Sequence, residues 1–142
     1  MKLIPISEHQ DHEKILYDLL CERPAGAAIS HKKMPTWEQH CAFVANHPYQ
    51  SWHLIEADGI IVGTIYLSQK PRPSVAGNEI GIFIFKEHQR KSYGEQAITM
   101  LVEMHPGERM LANIAPGNEP SLKMFEKLGF KTIQHTLSLE AE

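Results

Sequence analysis

Apolar residues recur along this chain with two periods, and the periods predict the elements. Residues 2–6 alternate as a short first strand. Ser7 and Gln10 have the spacing of a capping box, and Ile15, Leu16, Leu19 and Leu20 follow on one helical face, ending before Pro24. Residues 25–34 read as a loop. Thr36 with Gln39 is a second capping box, behind Pro35; Trp37, Cys41 and Val44 give that helix an apolar side, and His47-Pro48 ends it. Residues 51–57 are strand-like, Asp58-Gly59 is a two-residue hairpin turn, and residues 60–67 return. Residues 69–78 contain two prolines and a glycine and read as a loop. A strongly apolar strand is predicted over 79–85. Ala97, Ile98, Leu101 and Val102 mark a helix running to about Met104 and stopping at Pro106-Gly107. Residues 110–115 are a further strand. Asn118 caps a helix whose Leu122, Phe125 and Leu128 share a face, and Gly129 suits a left-handed C-cap. Residues 130–139 are predicted to be the last strand.

The order β-α-α-β-β-β-α-β-α-β predicts an α/β (α+β) fold. Three hairpin-linked strands joined to a β-α-β-α-β half require a mixed, mostly antiparallel central sheet flanked by helices. The 142 residues amount to one domain, 1–142. A net charge of −3 gives no basic field for nucleic acid. No apolar run has the length of a membrane span or the form of a signal peptide. The two cysteines, Cys21 and Cys41, lack metal-type spacing and suggest a reduced, cytoplasmic setting. The nine histidines form no ligand pattern, so no metal site is expected.

Chemistry concentrates in residues 89–97, Gln-Arg-Lys-Ser-Tyr-Gly-Glu-Gln-Ala. Strand, basic glycine-containing turn and helix aim backbone N–H groups at a phosphate. Arg90 and Lys91 add positive charge, and Gly94 admits close approach of the backbone. This turn resembles the Q/R-x-x-G-x-G/A pyrophosphate loop of the GCN5-related N-acetyltransferase (GNAT) superfamily. Residues 118–130, with Asn118, Ser121, Phe125, Glu126, Lys127, Gly129 and Phe130, resemble its second signature, N-x-x-A/S-x-x-x-Y-E-K-x-G-F. The element order matches from Lys2 onward.

The resemblance implies acetyl-CoA as cosubstrate and direct acetyl transfer to a primary amine of a small molecule, an amino sugar among the candidates. It also leaves open a protein amine as acceptor. It implies that the backbone of Ile82, Phe83 and Ile84 lies beside the pantetheine arm. Gln89, Arg90, Lys91, Ser92, Tyr93, Gly94 and Glu95 would form the phosphate loop. Asn118, Ser121 and Phe125 would lie near the cofactor. Glu79, at the start of the signature strand, is the candidate general base. The acceptor pocket would be built by the first two helices and their loop, with Arg23, His31 and Trp37 as candidate contacts.

Two positions depart from the family pattern. Ser92 replaces a loop glycine, and Phe125 replaces the tyrosine that many members use to protonate the departing thiolate. Phenylalanine cannot donate a proton, so a non-catalytic acetyl-CoA-binding or sensor domain is the alternative reading. The short stretch after Phe130 suggests that a neighbouring subunit completes the sheet, which makes a homodimer an expectation.

Overall fold

A computed structural model of the chain describes residues 1–22, 34–68 and 77–141. Among them run β1 (Lys2–Pro5), α1 (His12–Glu22), α2 (Trp37–Asn46), β2 (Tyr49–Ala57), β3 (Ile60–Ser68), β4 (Asn78–Ile84), α3 (Tyr93–Met104), β5 (Met110–Leu111) and α4 (Glu119–Lys127). The sheet order is β1-β2-β3-β4-β5. Pairing is antiparallel from β1 to β4 and parallel between β4 and β5. The expected mixed sheet is therefore present.

Side-chain alternation divides the core between the two sheet faces. On one face Ile55, Ile65, Leu67 and Ile80 meet Ala97, Ile98 and Leu101 of α3 and Phe125 of α4. On the other, Trp52 and Leu54 meet Ile6, Leu16 and Leu19 at the α1 end and Val44 of α2. Burying each such aliphatic side chain contributes about 1.5–3 kcal/mol. The register Ile65↔Ile82 and Leu67↔Ile80 places β4 under α3 on one side. Thr64↔Phe83 and Tyr66↔Gly81 put the alternate residues on the α1/α2 side. A buried polar chain locks this second face. Trp52 Nε1 donates to Thr64 Oγ1 at 3.1 Å, and the Thr64 hydroxyl donates to the His53 carbonyl at 2.7 Å.

Three signals that depend on a few adjacent residues form as read. Thr36 and Gln39 make both bonds of the capping box. Asp58 (φ 52°) and Gly59 (φ 79°) both adopt the left-handed backbone of a type I′ hairpin turn. Gly129 (φ 97°) closes α4. Its N–H bonds the Glu126 carbonyl and the Phe130 N–H bonds the Phe125 carbonyl, the two bonds of a Schellman motif.

Three expectations need correction. Ser7 and Gln10 do not open the first helix: residues 6–8 form a 3-10 turn and α1 begins at His12. Burial of Ile6, which is 2% exposed, turns the chain inward there. His9 takes over the local bonding, its ring Nδ1 accepting from the Asp11 N–H at 3.1 Å. The strand expected over 110–115 is paired only at Met110 and Leu111. β4 and β5 join at Asn78↔Met110 and Glu79↔Leu111, and no pairing follows. The last strand, expected over 130–139, does not form: residues 130–141 have no strand partner among the described residues. An alternating pattern makes a strand only when a neighbouring strand supplies the hydrogen bonds. The expected loops at 25–34 and 69–78 lie almost wholly outside the described residues.

Candidate active site

The turn from β4 into α3 is built from backbone conformations unusual for its residues. After Ile84, the Phe85 N–H bonds the Val62 carbonyl at 2.9 Å and residues 86–88 make a 3-10 turn. Gln89 then folds back, its Nε2 donating to the Ile84 carbonyl at 3.0 Å. Arg90 and Ser92 both have φ of 64°, in the left-handed region. These two residues reverse the chain so that α3 starts beside the end of β4.

α3 begins without a cap. Ser92 occupies the N-cap position but its side chain makes no cap hydrogen bond. At α2 and α4 caps are present: Thr36 serves α2, and Asn118 Oδ1 accepts from the Ser121 N–H at 3.4 Å in α4. The first-turn N–H groups of α3 therefore lack both intrahelical acceptors and a capping side chain. Exposed Arg90 and Lys91 precede them. This donor set suits a polyanion such as a pyrophosphate.

The left-handed backbone at Ser92 costs about 1 kcal/mol relative to glycine. Ser92→Gly is expected to stabilise the domain by about that amount, read as a higher urea midpoint at unchanged m value. An unchanged or lower midpoint would contradict the strain assigned to Ser92.

At the other end of the strand, β4 and β5 part after Glu79↔Leu111. From Ile80 to Ile84, β4 has β3 on one side and no strand on the other among the described residues. An extended chain with amide groups fits such an open edge. The parallel pair is held at its closed end by a side-chain clamp. Asn78 Nδ2 donates to Gln50 Oε1 at 3.1 Å and to Glu108 Oε2 at 2.8 Å, linking β2, β4 and the turn before β5. Ser51 and His53 sit nearby in β2, their Oγ and Nδ1 3.2 Å apart. Burial lowers the His53 pKa below its ordinary value, and the charges of His105 and His47 lower it further.

The α1/α2 face of β2 and β3 carries an aromatic wall. Tyr49 and Tyr66 stack at 3.8 Å and 3°, and Trp52 meets the Tyr49 ring edge-on at 4.7 Å. Phe43 packs edge-on against both Tyr49 and Trp52. The Tyr66 ring lies directly over Gly81: a Cβ built there would stand 1.9 Å from Cζ and 2.4 Å from Oη. Glu79 is two residues from Gly81 along β4 and exposed, and its N–H donates to Ser68 Oγ at 2.8 Å. Tyr49 and Gly81 were not singled out from the sequence. The available signal was the glycine inside an apolar strand, which marks close approach of another group.

The remaining candidates fall in different places. Ile82 and Ile84 face the α3 side, and Phe83 faces the α1/α2 side. Gly94 packs against α4, its ideal Cβ position 3.2 Å from Met124 Sδ. Glu95 pairs with Lys127 Nζ at 2.9 Å, tying α4 to the first turn of α3. Tyr93 and Ser121 are half-buried, and Asn118 is exposed beyond its capping bond. Phe125 is 4% exposed and meets Phe130 at 5.0 Å edge-on, so its ring is a core residue. Trp37 is partly exposed and packs on Tyr17 at 5.3 Å and His40 at 5.9 Å. Arg23 and His31 lie outside the described residues.

A family model described as an acetyltransferase (GNAT) domain matches residues 1–131. The chain belongs to the GNAT acetyltransferase family. Its solved structural neighbours carry the same fold at low identity. A spermidine N-acetyltransferase SpeG chimera from Vibrio cholerae and hSSAT aligns with TM-score 0.75 and 15% identity, over 95% of this chain and 84% of that one. An N-acetyltransferase from Staphylococcus aureus Mu50 aligns at 0.68 and 21%, covering 92% and 81%. The putative acetyltransferase yncA from Salmonella typhimurium, solved with acetyl-CoA, aligns at 0.66 and 18%, covering 91% and 77%. No curated protein sequence matches the chain. Among the described residues of this GNAT domain, no helix is long and apolar enough to cross a membrane. No group of three or more potential ligands gathers there to hold a metal ion.

Proposed function

We propose that this domain binds acetyl-CoA along the open edge of β4 and transfers the acetyl group to the primary amine of a small molecule. The observation that carries the reading is the uncapped start of α3, entered through the left-handed Arg90 and Ser92 at the point where β4 has lost its β5 partner. Acetyl-CoA supplies an acyl group already activated as a thioester. The first-turn N–H groups of α3, with Arg90 and Lys91, hold its pyrophosphate. Gln89 spends its amide on the Ile84 carbonyl and so fixes the loop. Backbone groups of Ile82, Phe83 and Ile84 pair with the pantetheine amides, and a β4 N–H polarises the thioester carbonyl. Asn118 caps α4 through the Ser121 N–H, and both residues are assigned to the cofactor side.

An alkyl amine is protonated at neutral pH, with a pKa near that of lysine, about 10.4. Glu79 removes that proton before attack. Its solvent exposure lets the proton leave to water. Tyr49, Tyr66 and Trp52 are assigned to the wall of the acceptor pocket. Arg23 and His31 are assigned to an acidic group of the acceptor, and Trp37 to the pocket wall. Amino sugars are among the acceptors that fit this assignment. Phe125 provides no proton, so the thiolate leaves unassisted by that position. A thiol pKa of about 8.5 makes this leaving group tolerable near neutral pH. Two free cysteines, Cys21 exposed, fit a reduced cytoplasmic setting.

A panel of amines incubated with acetyl-CoA, read by free-thiol release, tests the reading. Turnover with at least one small amine is expected. Glu79→Gln is then expected to lower turnover by about 10²–10⁴-fold and to shift activity toward high pH, where the amine is already neutral. Unchanged turnover and pH profile would remove Glu79 from the mechanism. Acetyl-CoA binding without turnover of any amine would favour the second reading, a binding or sensor domain, to which the buried Phe125 already points.

A further inference from the structure

α1 ends on a carboxylate that its own helix disfavours. Glu22 is the last residue of α1, and that last turn carries no basic side chain. A negative charge there meets the negative end of the helix macrodipole. Glu22 also continues the inner stripe of the helix. Ile15, Leu19 and Glu22 are spaced i, i+4, i+7, and Ile15 and Leu19 belong to the cluster on the α1/α2 side of the sheet. A half-buried carboxylate at that position needs a compensating donor.

The donor is a backbone group at the root of the candidate phosphate turn. Glu22 Oε1 accepts from the Lys86 N–H at 2.8 Å, across 64 positions of chain. Lys86 opens the 3-10 turn after β4, and Phe85 at its N-cap makes no side-chain cap bond. The first N–H of such a turn has no acceptor within the turn, so the α1 carboxylate caps it from outside. Phe83 and Phe85 pack against the same cluster as Leu16 and Leu19, which brings the ends of β4 and α1 together. From Lys86 the bonding runs on into the turn. The Gln89 N–H donates to the Lys86 carbonyl at 3.3 Å, and the Gln89 side chain donates to the Ile84 carbonyl at 3.0 Å. The left-handed Arg90 and Ser92 then lead into α3.

We infer that Glu22 is a positioning residue for the cofactor: by capping the Lys86 N–H, its carboxylate holds residues 86–92 in the conformation that presents the α3 N–H groups to the pyrophosphate. The inference rests on the acetyl-CoA reading above. Its sign separates it from a simple charge effect. A carboxylate beside a turn that takes a polyanion repels the ligand, so by charge alone its removal would tighten binding. By positioning, its removal lowers the fraction of turns competent to bind and weakens the apparent affinity in proportion. Glu79, assigned to proton removal, stands at the other end of β4. The chemical step at saturating cofactor is therefore left alone.

Calorimetric titration with acetyl-CoA tests the role, with circular dichroism to check that each variant folds. Glu22→Ala is expected to raise the dissociation constant about 10-fold, the loss of one hydrogen bond to a charged group. KM for acetyl-CoA rises with it while kcat holds. Glu22→Gln keeps an acceptor oxygen without the charge and is expected to restore most of the affinity. Lys86→Pro removes the donor instead. Phe85, at φ −51° and ψ 141°, already has the backbone that a following proline requires. Referred to Lys86→Ala, which accounts for the lost lysine charge, Lys86→Pro should weaken binding in wild type and add nothing in Glu22→Ala. In the unliganded protein, exchange of the Lys86 amide hydrogen should quicken in Glu22→Ala and not in Glu22→Gln. Equal or tighter binding by Glu22→Ala, an equal loss in Glu22→Gln, or additive losses in the double variant would overturn the role of Glu22. Failure of the wild type itself to bind acetyl-CoA would strike the cofactor reading, whereas wild-type binding with no loss in Glu22→Ala strikes Glu22 alone.

Discussion

Gly94→Glu is expected to abolish stabilisation by acetyl-CoA while leaving the unliganded domain folded. Gly94 lies in the first turn of α3, where the N–H groups are uncapped. Its missing side chain faces Met124 Sδ at 3.2 Å and Ile82 Cδ1 at 3.7 Å. The sulfur belongs to a flexible chain, so a single Cβ can be accommodated. A glutamate adds bulk, and its carboxylate competes for the donors assigned to the pyrophosphate. The same charge at a helix start is favourable without ligand, by about 0.3–1 kcal/mol. The loss is therefore specific to the bound state. Wild type at 100 times the dissociation constant gains about 2.7 kcal/mol, on the order of 10 °C in melting temperature for a domain of this size. Gly94→Ala is the control and is expected to retain most of that shift. Equal shifts in wild type and Gly94→Glu would move the pyrophosphate site away from α3.

Gly81→Val is expected to destabilise the fold by about 1–3 kcal/mol, although valine favours strands. The reason is the Tyr66 ring, which fills the space a Cβ at 81 would need, at 1.9 to 2.4 Å. That ring is held by its stack on Tyr49 at 3.8 Å, so displacing it disturbs the wall beside Glu79. Acceptor KM is expected to rise along with the stability loss. Tyr66→Ala in the Gly81→Val background removes the collision, so the double variant should cost less than the sum of the single ones. Additive losses, measured by urea denaturation, would show that the ring does not require the glycine.

Some of the site was legible because its determinants are local. Gln89 to Gly94 is a contiguous stretch between an apolar strand and an apolar-faced helix, and in the structure it runs from the turn after β4 into the first residues of α3. Asn118 and Gly129 bound α4 through bonds spanning only a few residues. Phe125 was legible as a departure in chemistry, but not as a ring packed against Phe130 inside the core. The clamp of Gln50, Asn78 and Glu108 joins residues up to 58 positions apart and left no local trace. The Tyr49–Tyr66 stack likewise depends on the β2–β3 register, which shifts at Tyr49/Ser51.

Periodicity, caps and turn residues by themselves determined the element order as far as α4, the mixed sheet and the turn from β4 into α3, because each acts through neighbours within about one helical turn or one hairpin. Only the tertiary structure decided where strands stop pairing. β5 ends after Leu111 because β4 diverges from it, and residues 130–139 stay unpaired despite a strand pattern. A strand is completed by the hydrogen-bonding groups of another segment. Which segment supplies them, in this chain or in a second copy, is a property of the assembled sheet and not of the residues that alternate.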